Sequence, residues 1–350
     1  MGFSEQAFIL DSNYYNSYPM KVTVLAQRNR IDGTLRTGIA LRLLFPPEGV
    51  RYKVMNELIP FPSSFNDYHV NWRTGVKWTF KLFLEPICSL RLRGLVHSFF
   101  LNLYIPMTPW VQELDQPISA MFGSYFSDSK FRDLILGFFR KVFNRENVRM
   151  VTWTEWSRRG LEQEGFRNIN VIPPPMNSKR RDSYGRRTVI FVGLDYRRKG
   201  GDVAEKVMSS LPGEFNKIYV GKSPNRVKGV IYIEKMSRDE LIELMRRSDV
   251  MIFPTRGDAF GLSVLEAMSV GTPVVTSNVG PMPEIVGEGG IVCAKDDVQC
   301  FLENTKEILS SSEYAKRLGS NAIREVETRF SPAEIGKKLV ETYGDLADPR

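Results

Sequence analysis

The chain has 350 residues, of which 42% are hydrophobic and 25% charged, and its formal net charge is +8. This composition is typical of a globular protein, and the length predicts two domains. The sequence lacks an apolar stretch long enough to span a bilayer, and its N-terminus lacks the basic and apolar regions of a secretory signal, so we expect a cytoplasmic protein.

The charge distribution and the cysteines bear on where the protein works. Residues 1–177 hold 21 Lys and Arg against 15 Asp and Glu, a net charge of +6, whereas the remainder carries +2. A basic surface suits phosphates, nucleic acid or the inner face of an anionic membrane, although it also serves solubility alone. Cys88, Cys293 and Cys300 have neither a paired nor a metal-binding spacing, which predicts reduced thiols in an intracellular protein.

The first half opens with a predicted strand over 21–26, a glycine-bearing loop over 32–40 and a helical segment over 41–44. Such a loop can bring backbone N–H groups close to a ligand, although a plain turn fits equally well. Residues 94–98 predict another strand.

Residues 66–104 interleave aromatic and basic side chains, and three interpretations stay open. Stacking with positive charge can bind single-stranded nucleic acid, and it can also form an interfacial membrane face. In a chain of this size such aromatic residues more often belong to the core. The residues are Tyr68, Trp72, Arg73, Lys77, Trp78, Lys81, Phe83, Arg91, Arg93, Phe99, Phe100 and Tyr104.

A domain boundary is predicted near the middle of the chain. Pro173, Pro174 and Pro175 stop regular structure, and a polar, basic stretch follows over 178–187. We therefore expect one domain over 1–177, a second over 178–330 and a C-terminal helix over 331–350.

The second half alternates short apolar strands with helices. Strands are predicted over 188–193, 217–220, 230–233, 250–253, 274–276 and 290–293, and helices over 202–210, 238–247, 262–270 and between 298 and 346. Continuous apolar strands are expected where helices cover both faces of a sheet. The alternation predicts an α/β fold with a doubly wound parallel sheet, whose ligands bind at the carboxyl ends of the strands.

Two acids follow one of these strands at a fixed spacing. Asp258 lies in the loop after the strand and Glu266 in the next helix, with seven residues between them. Gly257 and Gly261 leave backbone N–H groups accessible at the helix start, where an anion or sugar hydroxyls can dock. An acid on a helix is usually a solvated surface residue when it occurs alone, but here the whole run over 258–275 resembles a known signature.

That signature is the acid-x7-acid motif of retaining GT-B glycosyltransferases, most closely glycosyltransferase family 4, with an aspartate where the family usually has its first glutamate. Residues 191–200 similarly resemble the family's F-V-G-R-x-x-x-R-K-G segment, with Leu194 in place of the first arginine. The resemblance implies that Glu266 binds the donor ribose, Asp258 the sugar hydroxyls and Lys199 the diphosphate, the last two being catalytic. Further implied donor contacts are Gly193, Arg198, Gly221, Phe260, Gly261, Leu262 and Ser263.

The resemblance is weaker in the first half. His97 falls where the family often has a Val-His pair at the end of a strand. The family's better-known active-site histidine has no counterpart; Glu113 and Asp115 occupy that segment and are the implied catalytic candidates. Gly33 and Thr34 resemble the family's glycine loop, on the acceptor side.

The resemblance implies the GT-B fold: two Rossmann-like doubly wound domains that face a central cleft, with the C-terminal helix crossing back to the first domain. The implied activity is transfer of a hexosyl group from a UDP- or GDP-sugar to an acceptor sugar, lipid or protein glycan, with retention of anomeric configuration. The chain has no Asp-x-Asp pair, so neither a metal nor another cofactor is expected. The alternative is a non-catalytic GT-B protein that binds a membrane surface or, less expected, nucleic acid.

Overall fold

A computed structural model describes residues 20–26, 35–56, 87, 89–100, 104–122, 129–181 and 183–347. The chain forms two compact units. The N-terminal unit comprises the described residues up to 153 together with 157–175 and 335–347, and the C-terminal unit comprises 154–156 and 176–334.

The N-terminal unit contains a six-stranded parallel sheet in the order β2-β1-β3-β4-β5-β6. The strands are β1 (Met20–Ala26), β2 (Val50–Asn56), β3 (Leu95–Phe99), β4 (Trp110–Leu114), β5 (Val148–Thr152) and β6 (Ile169–Val171). The central strands β3 and β4 are buried at every residue, as expected where both faces of a sheet are covered.

The C-terminal unit contains a second six-stranded parallel sheet, in the order β12-β11-β10-β7-β8-β9. Its strands are β7 (Thr188–Val192), β8 (Asn216–Val220), β9 (Ile231–Ile233), β10 (Val250–Phe253), β11 (Val274–Ser277) and β12 (Gly290–Cys293). All six were predicted within two residues of their bounds, so the α/β fold with doubly wound parallel sheets is confirmed.

Helices follow most of these strands. They are α1 (Thr37–Leu44), α2 (Ile118–Phe122), α3 (Ser129–Phe143), α4 (Glu155–Gln163), α5 (Gly201–Ser210), α6 (Arg238–Arg246), α7 (Leu262–Ser269), α8 (Met282–Val286), α9 (Val298–Ser310), α10 (Ser312–Arg329) and α11 (Pro332–Ala347). None of the helices in the described parts of the chain is both long and apolar enough to cross a bilayer.

Two apolar clusters cover the faces of the N-terminal sheet. Val24 and Leu25 point to opposite faces because side chains alternate along a strand. Leu25 belongs to a cluster with residues of α3, and Val24 to a cluster that includes Leu339 and Leu346 of α11. The last helix of the chain therefore completes the core of the N-terminal unit.

The expectation of reduced cysteines is wrong for two of the three. Cys293 ends β12 and Cys300 lies in the first turn of α9, and the two form a disulfide with their Cα atoms 5.8 Å apart. The chain reverses between the strand and the helix, which brings the thiols together although the spacing alone gave no sign of it. Cysteine usage therefore no longer supports a reducing compartment, and Cys88 lies outside the described residues.

Candidate functional site

The C-terminal sheet has one point at which its strand order reverses. β7 and β10 lie side by side, and the chain proceeds outward from this pair in opposite directions. Open α/β sheets bind ligands at such a point, beyond the carboxyl ends of the strands. The loops that leave these two strands are residues 193–200 and 254–261.

Glycines let the loops at this edge approach one another. Gly200 has a φ of +71°, and a Cβ there would lie 1.9 Å from the carbonyl oxygen of Pro254. Gly221, after β8, has a φ of +141°, and a Cβ there would lie 2.0 Å from the carbonyl oxygen of Gly193. Both positions therefore require glycine, and the predicted site residues Gly193 and Gly221 bring two loop backbones into contact.

Lys199 and Asp258, one from each loop, form an ion pair. Lys199 Nζ donates to Asp258 Oδ2, and the side chains are only 15% and 12% exposed. The Nζ atom also lies 4.8 Å from the centroid of the Phe253 ring, a cation–π distance. Burial lowers the pKa of Lys199 below its ordinary value, although the Asp258 carboxylate opposes this shift.

Glu266 lies in the second turn of α7 and is buried. Arg238 Nε donates to Glu266 Oε1 at 2.7 Å. Burial raises the pKa of Glu266, and Arg238 counteracts that rise. The helix begins at Leu262, and Gly261 before it has a φ of +83° and offers no side-chain cap, so an anion can take that place at the first turn.

Sequence reasoning missed Arg238. It is the first residue of α6, and Ser237 before it forms a capping box with Glu240. A basic residue in the first turn of a helix is disfavoured by the helix dipole. That conflict with an otherwise well-capped helix start was the signal that could have identified it.

Arg198 and Leu194 lie on the exposed side of the loop after β7. Arg198 is half exposed, and it donates from Nε to Asp195 Oδ2 at 3.2 Å and from Nη1 to the carbonyl oxygen of Gly257 at 3.1 Å. Leu194, in the place of the family's arginine, is 80% exposed. The positive charge of Arg198, the chain neighbour of Lys199, acts on Lys199 and helps to lower its pKa.

The remaining predicted donor residues flank the start of α7. Leu262 and Ser263 are half-buried in its first turn. Phe260 is 2% exposed and packs edge-on against Phe330, with ring centroids 6.3 Å apart. The Phe260 side chain therefore anchors the loop to the core and does not line a surface.

Arg256 fixes the loop that carries Asp258. Its Nη1 and Nη2 atoms each donate to Asp202 at 2.8 Å, and its Nε donates to Asp296 at 2.7 Å. Asp202 and then Asp296 raise the pKa of Arg256 above its ordinary value. Because Asp202 lies in the first turn of α5, this bidentate pair ties the loop after β10 to the helix that follows Lys199.

Glu113 and His97, in contrast, lie in the interior of the N-terminal unit. Each is 1% exposed, and His97 Nε2 lies 2.9 Å from Glu113 Oε2. Arg42 of α1 donates to Glu113 from Nε and Nη2, both at 3.2 Å, and Trp153 donates its indole N–H. In this placement both side chains are held by partners within the N-terminal unit, and the catalytic role of Glu113 and the acceptor-side role of His97 stay predictions.

The network continues to the C-terminal helix. His97 Nδ1 lies 2.7 Å from the hydroxyl of Tyr343 on α11, which in turn lies 3.1 Å from the hydroxyl of Tyr52 on β2. Burial lowers the pKa of His97 despite the neighbouring Glu113. Burial acts to raise the pKa of Glu113, but Arg42, His97 and Trp153 together lower it. A neutral His97 thus donates from Nε2 to the carboxylate and accepts at Nδ1 from Tyr343.

The other predicted positions give less information. Asp115 is half-buried immediately after β4, and Gly33 and Thr34 lie outside the described residues. In the described ranges there is no group of three or more His, Cys, Asp or Glu side chains placed to hold a metal ion. Metal independence stays a prediction.

Comparison with known proteins shows that part of this chain is similar to glycosyltransferases. Residues 177–325 match the family model of glycosyl transferases group 1, a span that includes Lys199, Asp258 and Glu266. An uncharacterized glycosyltransferase of Methanocaldococcus jannaschii is 27% identical over 170 residues, which are 45% of this chain and 48% of that protein. The chain thus spans about half the length of this curated relative.

Solved structures show the same fold over nearly the whole chain. Sucrose-phosphate synthase from Thermosynechococcus elongatus has a TM-score of 0.68 at 15% identity, covering 93% of this chain and 99% of that one. HepE from Anabaena, solved with UDP and glucose, has a TM-score of 0.66 at 16% identity, covering 93% and 100%. At these identities the likeness concerns the fold, and the predicted GT-B fold is confirmed.

Proposed function

We propose that this chain is a glycosyltransferase that moves a sugar from a nucleotide-sugar donor to an acceptor. The observation that carries the proposal is the Lys199–Asp258 ion pair at the reversal point of the C-terminal sheet, with Glu266 on the helix that follows. A shielded cation paired with one carboxylate, with a second buried carboxylate on the next helix, lies at the edge where such sheets bind ligands and suits a diphosphate flanked by two sets of sugar hydroxyls.

Each residue then has a distinct role. The donor diphosphate replaces Asp258 as the partner of Lys199, and Asp258 becomes available to accept hydrogen bonds from the transferred sugar. Glu266 accepts hydrogen bonds from the ribose hydroxyls. Lys199 and the N–H groups at the start of α7 stabilise the charge on the departing diphosphate, which is a fixed electrostatic contribution to the transition state.

A second cation for the diphosphate is proposed to come from Arg198. Leu194 stands where the family places an arginine, and it offers no charge. Arg198 is half exposed and reaches the loop of Asp258 through the Gly257 carbonyl oxygen. A guanidinium at this position can turn from Asp195 to a phosphate with little movement of the backbone.

The proposed stereochemistry, donor and metal requirement rest on the resemblance of the acid-x7-acid run to family 4. We infer a family 4 enzyme that retains anomeric configuration, uses a UDP- or GDP-sugar and requires no metal. The UDP and glucose of the HepE structure support a nucleotide-sugar donor. The acceptor is proposed to be a sugar, a lipid or a protein glycan. We propose that the basic N-terminal half binds it at the inner face of a membrane.

The alternative of a non-catalytic protein that binds nucleic acid has less support. Nucleic-acid stacking needs exposed aromatic rings. Phe99, Phe100 and Tyr104, which are the described aromatic members of the 66–104 stretch, are all buried in the core. The described part of this stretch therefore offers basic side chains but no stacking platform.

Turnover of the donor tests the proposal. The full chain should release UDP or GDP from one of the corresponding sugars, both with and without EDTA. Lys199→Ala should lose this activity, whereas Lys206→Ala, an exposed lysine on α5, should keep it. A protein that neither binds nor cleaves any UDP- or GDP-sugar would contradict the proposal, and activity that returns only with magnesium or manganese would reject metal independence.

A further inference from the structure

The buried carboxylate of Glu266 has a positively charged partner on one side, Arg238 of α6. The Glu266 side chain is 8% exposed, and Oε1 accepts from Arg238 Nε at 2.7 Å. The helices α6, α8 and α10 and the strands β10 and β11 pack against α7. Of the charged groups on these elements in the described chain, Arg238 of α6 is the one that acts on Glu266. A buried carboxylate without a counter-charge is driven to its neutral form.

Arg238 is held at this place at an electrostatic cost. The capping box fixes the start of α6, with the Ser237 N–H donating to Glu240 Oε2 at 2.8 Å and the Glu240 N–H donating to Ser237 Oγ at 3.3 Å. Arg238 follows directly, at the positive end of the helix dipole, where a cation is unfavourable. An unfavourable residue at a helix start that is offset by an ion pair within a candidate site indicates a functional role, and here Arg238 is offset by Glu266.

Resting on the proposed function, we propose that Arg238 is a positioning residue. It holds the Glu266 carboxylate so that this group accepts hydrogen bonds from the two ribose hydroxyls of the nucleotide. It holds Oε1 from the α6 side and leaves Oε2 to the ligand. An ionised carboxylate is an acceptor only, and it can receive both neighbouring hydroxyls; a protonated one would give up part of that capacity. Arg238 itself need not touch the nucleotide.

Calorimetry on the full chain tests this inference, first with UDP and GDP and then with the 2′,3′-dideoxy form of whichever binds. Wild type should bind the ribose form about tenfold more tightly than the dideoxy form, the scale of a hydrogen bond to a charged group. Arg238→Ala should weaken the ribose form about tenfold and leave the dideoxy form unchanged. Arg247→Ala is the matched control, because it removes an arginine from the other end of α6 that pairs with Glu243 at 2.6 Å.

Two further readouts separate positioning from direct contact. In a Glu266→Gln background, Arg238→Ala should cause no additional loss, because the group through which it acts is already neutral. The loss in Arg238→Ala alone should be largest between the pKa of Glu266 in wild type and its higher pKa in the variant, and it should shrink at higher pH, where Glu266 ionises even without its counter-charge. Arg238→Lys should restore most of the affinity and the pH profile.

The outcomes distinguish failure of the proposed function from failure of the role assigned to Arg238. If wild type binds neither UDP nor GDP, the proposed function fails and this inference falls with it. If wild type binds but Arg238→Ala binds equally well, only the inference is overturned. Losses that are equal for the ribose and dideoxy forms, or that add to those of Glu266→Gln, would show that Arg238 contacts the ligand directly and would also overturn it.

Discussion

At the scale of single residues, Lys199 is largely buried, which is uncommon for a lysine, and it is ion-paired, as buried charges usually are. Its charge should matter most when the diphosphate departs, because negative charge on the leaving group is greatest then. Lys199→Ala should therefore lower kcat by ~100-fold, the scale for losing one transition-state donor, with a smaller effect on donor affinity. Steady-state kinetics and calorimetry check this; equal losses in kcat and affinity would contradict it.

Glu266 should act in the opposite way, on binding. Glu266→Gln keeps the shape and removes the charge, so the affinity for the nucleoside diphosphate should fall by about 1–3 kcal/mol. Because burial raises the pKa of Glu266, the affinity of wild type should also decline as pH falls through that raised value. Titration calorimetry over a pH series tests both points, with Glu307→Gln, an exposed acid on α9, as the control. Unchanged affinity in Glu266→Gln would place the ribose elsewhere.

At the scale of elements, the buried polar network joins α11 to β3 and β4, and this makes stability dependent on pH. Both His97 and Glu113 have pKa values below their ordinary 6.5 and 4.5. Unfolding therefore takes up protons, so the free energy of unfolding should fall as pH decreases below about 6.5 and fall further below about 4.5. Denaturant unfolding between pH 7.5 and roughly 5 should show the His97 part of this slope.

A histidine control isolates that slope, because the chain has only two histidines. A chain with His69→Gln should keep the dependence between pH 7.5 and roughly 5, and a chain with both His69→Gln and His97→Gln should lose it. A slope that survives both changes would show that groups other than His97 cause it.

Some strands and site residues could be predicted from the sequence, and others could not. The strands of the C-terminal sheet were predictable because they are continuous apolar runs, buried on both faces. β2 was missed because it is an edge strand whose residues 50–55 are exposed or half-buried, so it lacks a continuous apolar run. Arg42 was missed because a buried arginine has no distinguishing pattern, and its partner Glu113 lies 71 positions away. Lys199 and Asp258 were predicted as site residues only because family motifs mark both, and their ion pair was not predicted.

At the scale of the whole molecule, the excess of positive charge lies in the first half, with +6 of the total +8. Exposed apolar and basic side chains meet there in the loops that precede β3 and β4. Leu90 is 47% and Met107 62% exposed, and the exposed Arg91 and Arg93 follow Leu90 in sequence. Ser89 Oγ accepts from the Ile105 N–H at 3.1 Å, which holds these two loops together.

This combination predicts salt-sensitive binding to anionic vesicles, in keeping with the proposed peripheral contact. Each basic residue near an anionic surface contributes roughly 1 kcal/mol, so Arg91→Ala with Arg93→Ala should weaken binding at least tenfold at low ionic strength. Salt should reduce the difference, because it screens exposed charges. The matched control is Lys316→Ala with Arg317→Ala, two exposed basic residues on α10 of the C-terminal unit. Flotation with vesicles of mixed neutral and anionic lipid measures the effect, and equal binding by both double variants would place any membrane contact away from these loops.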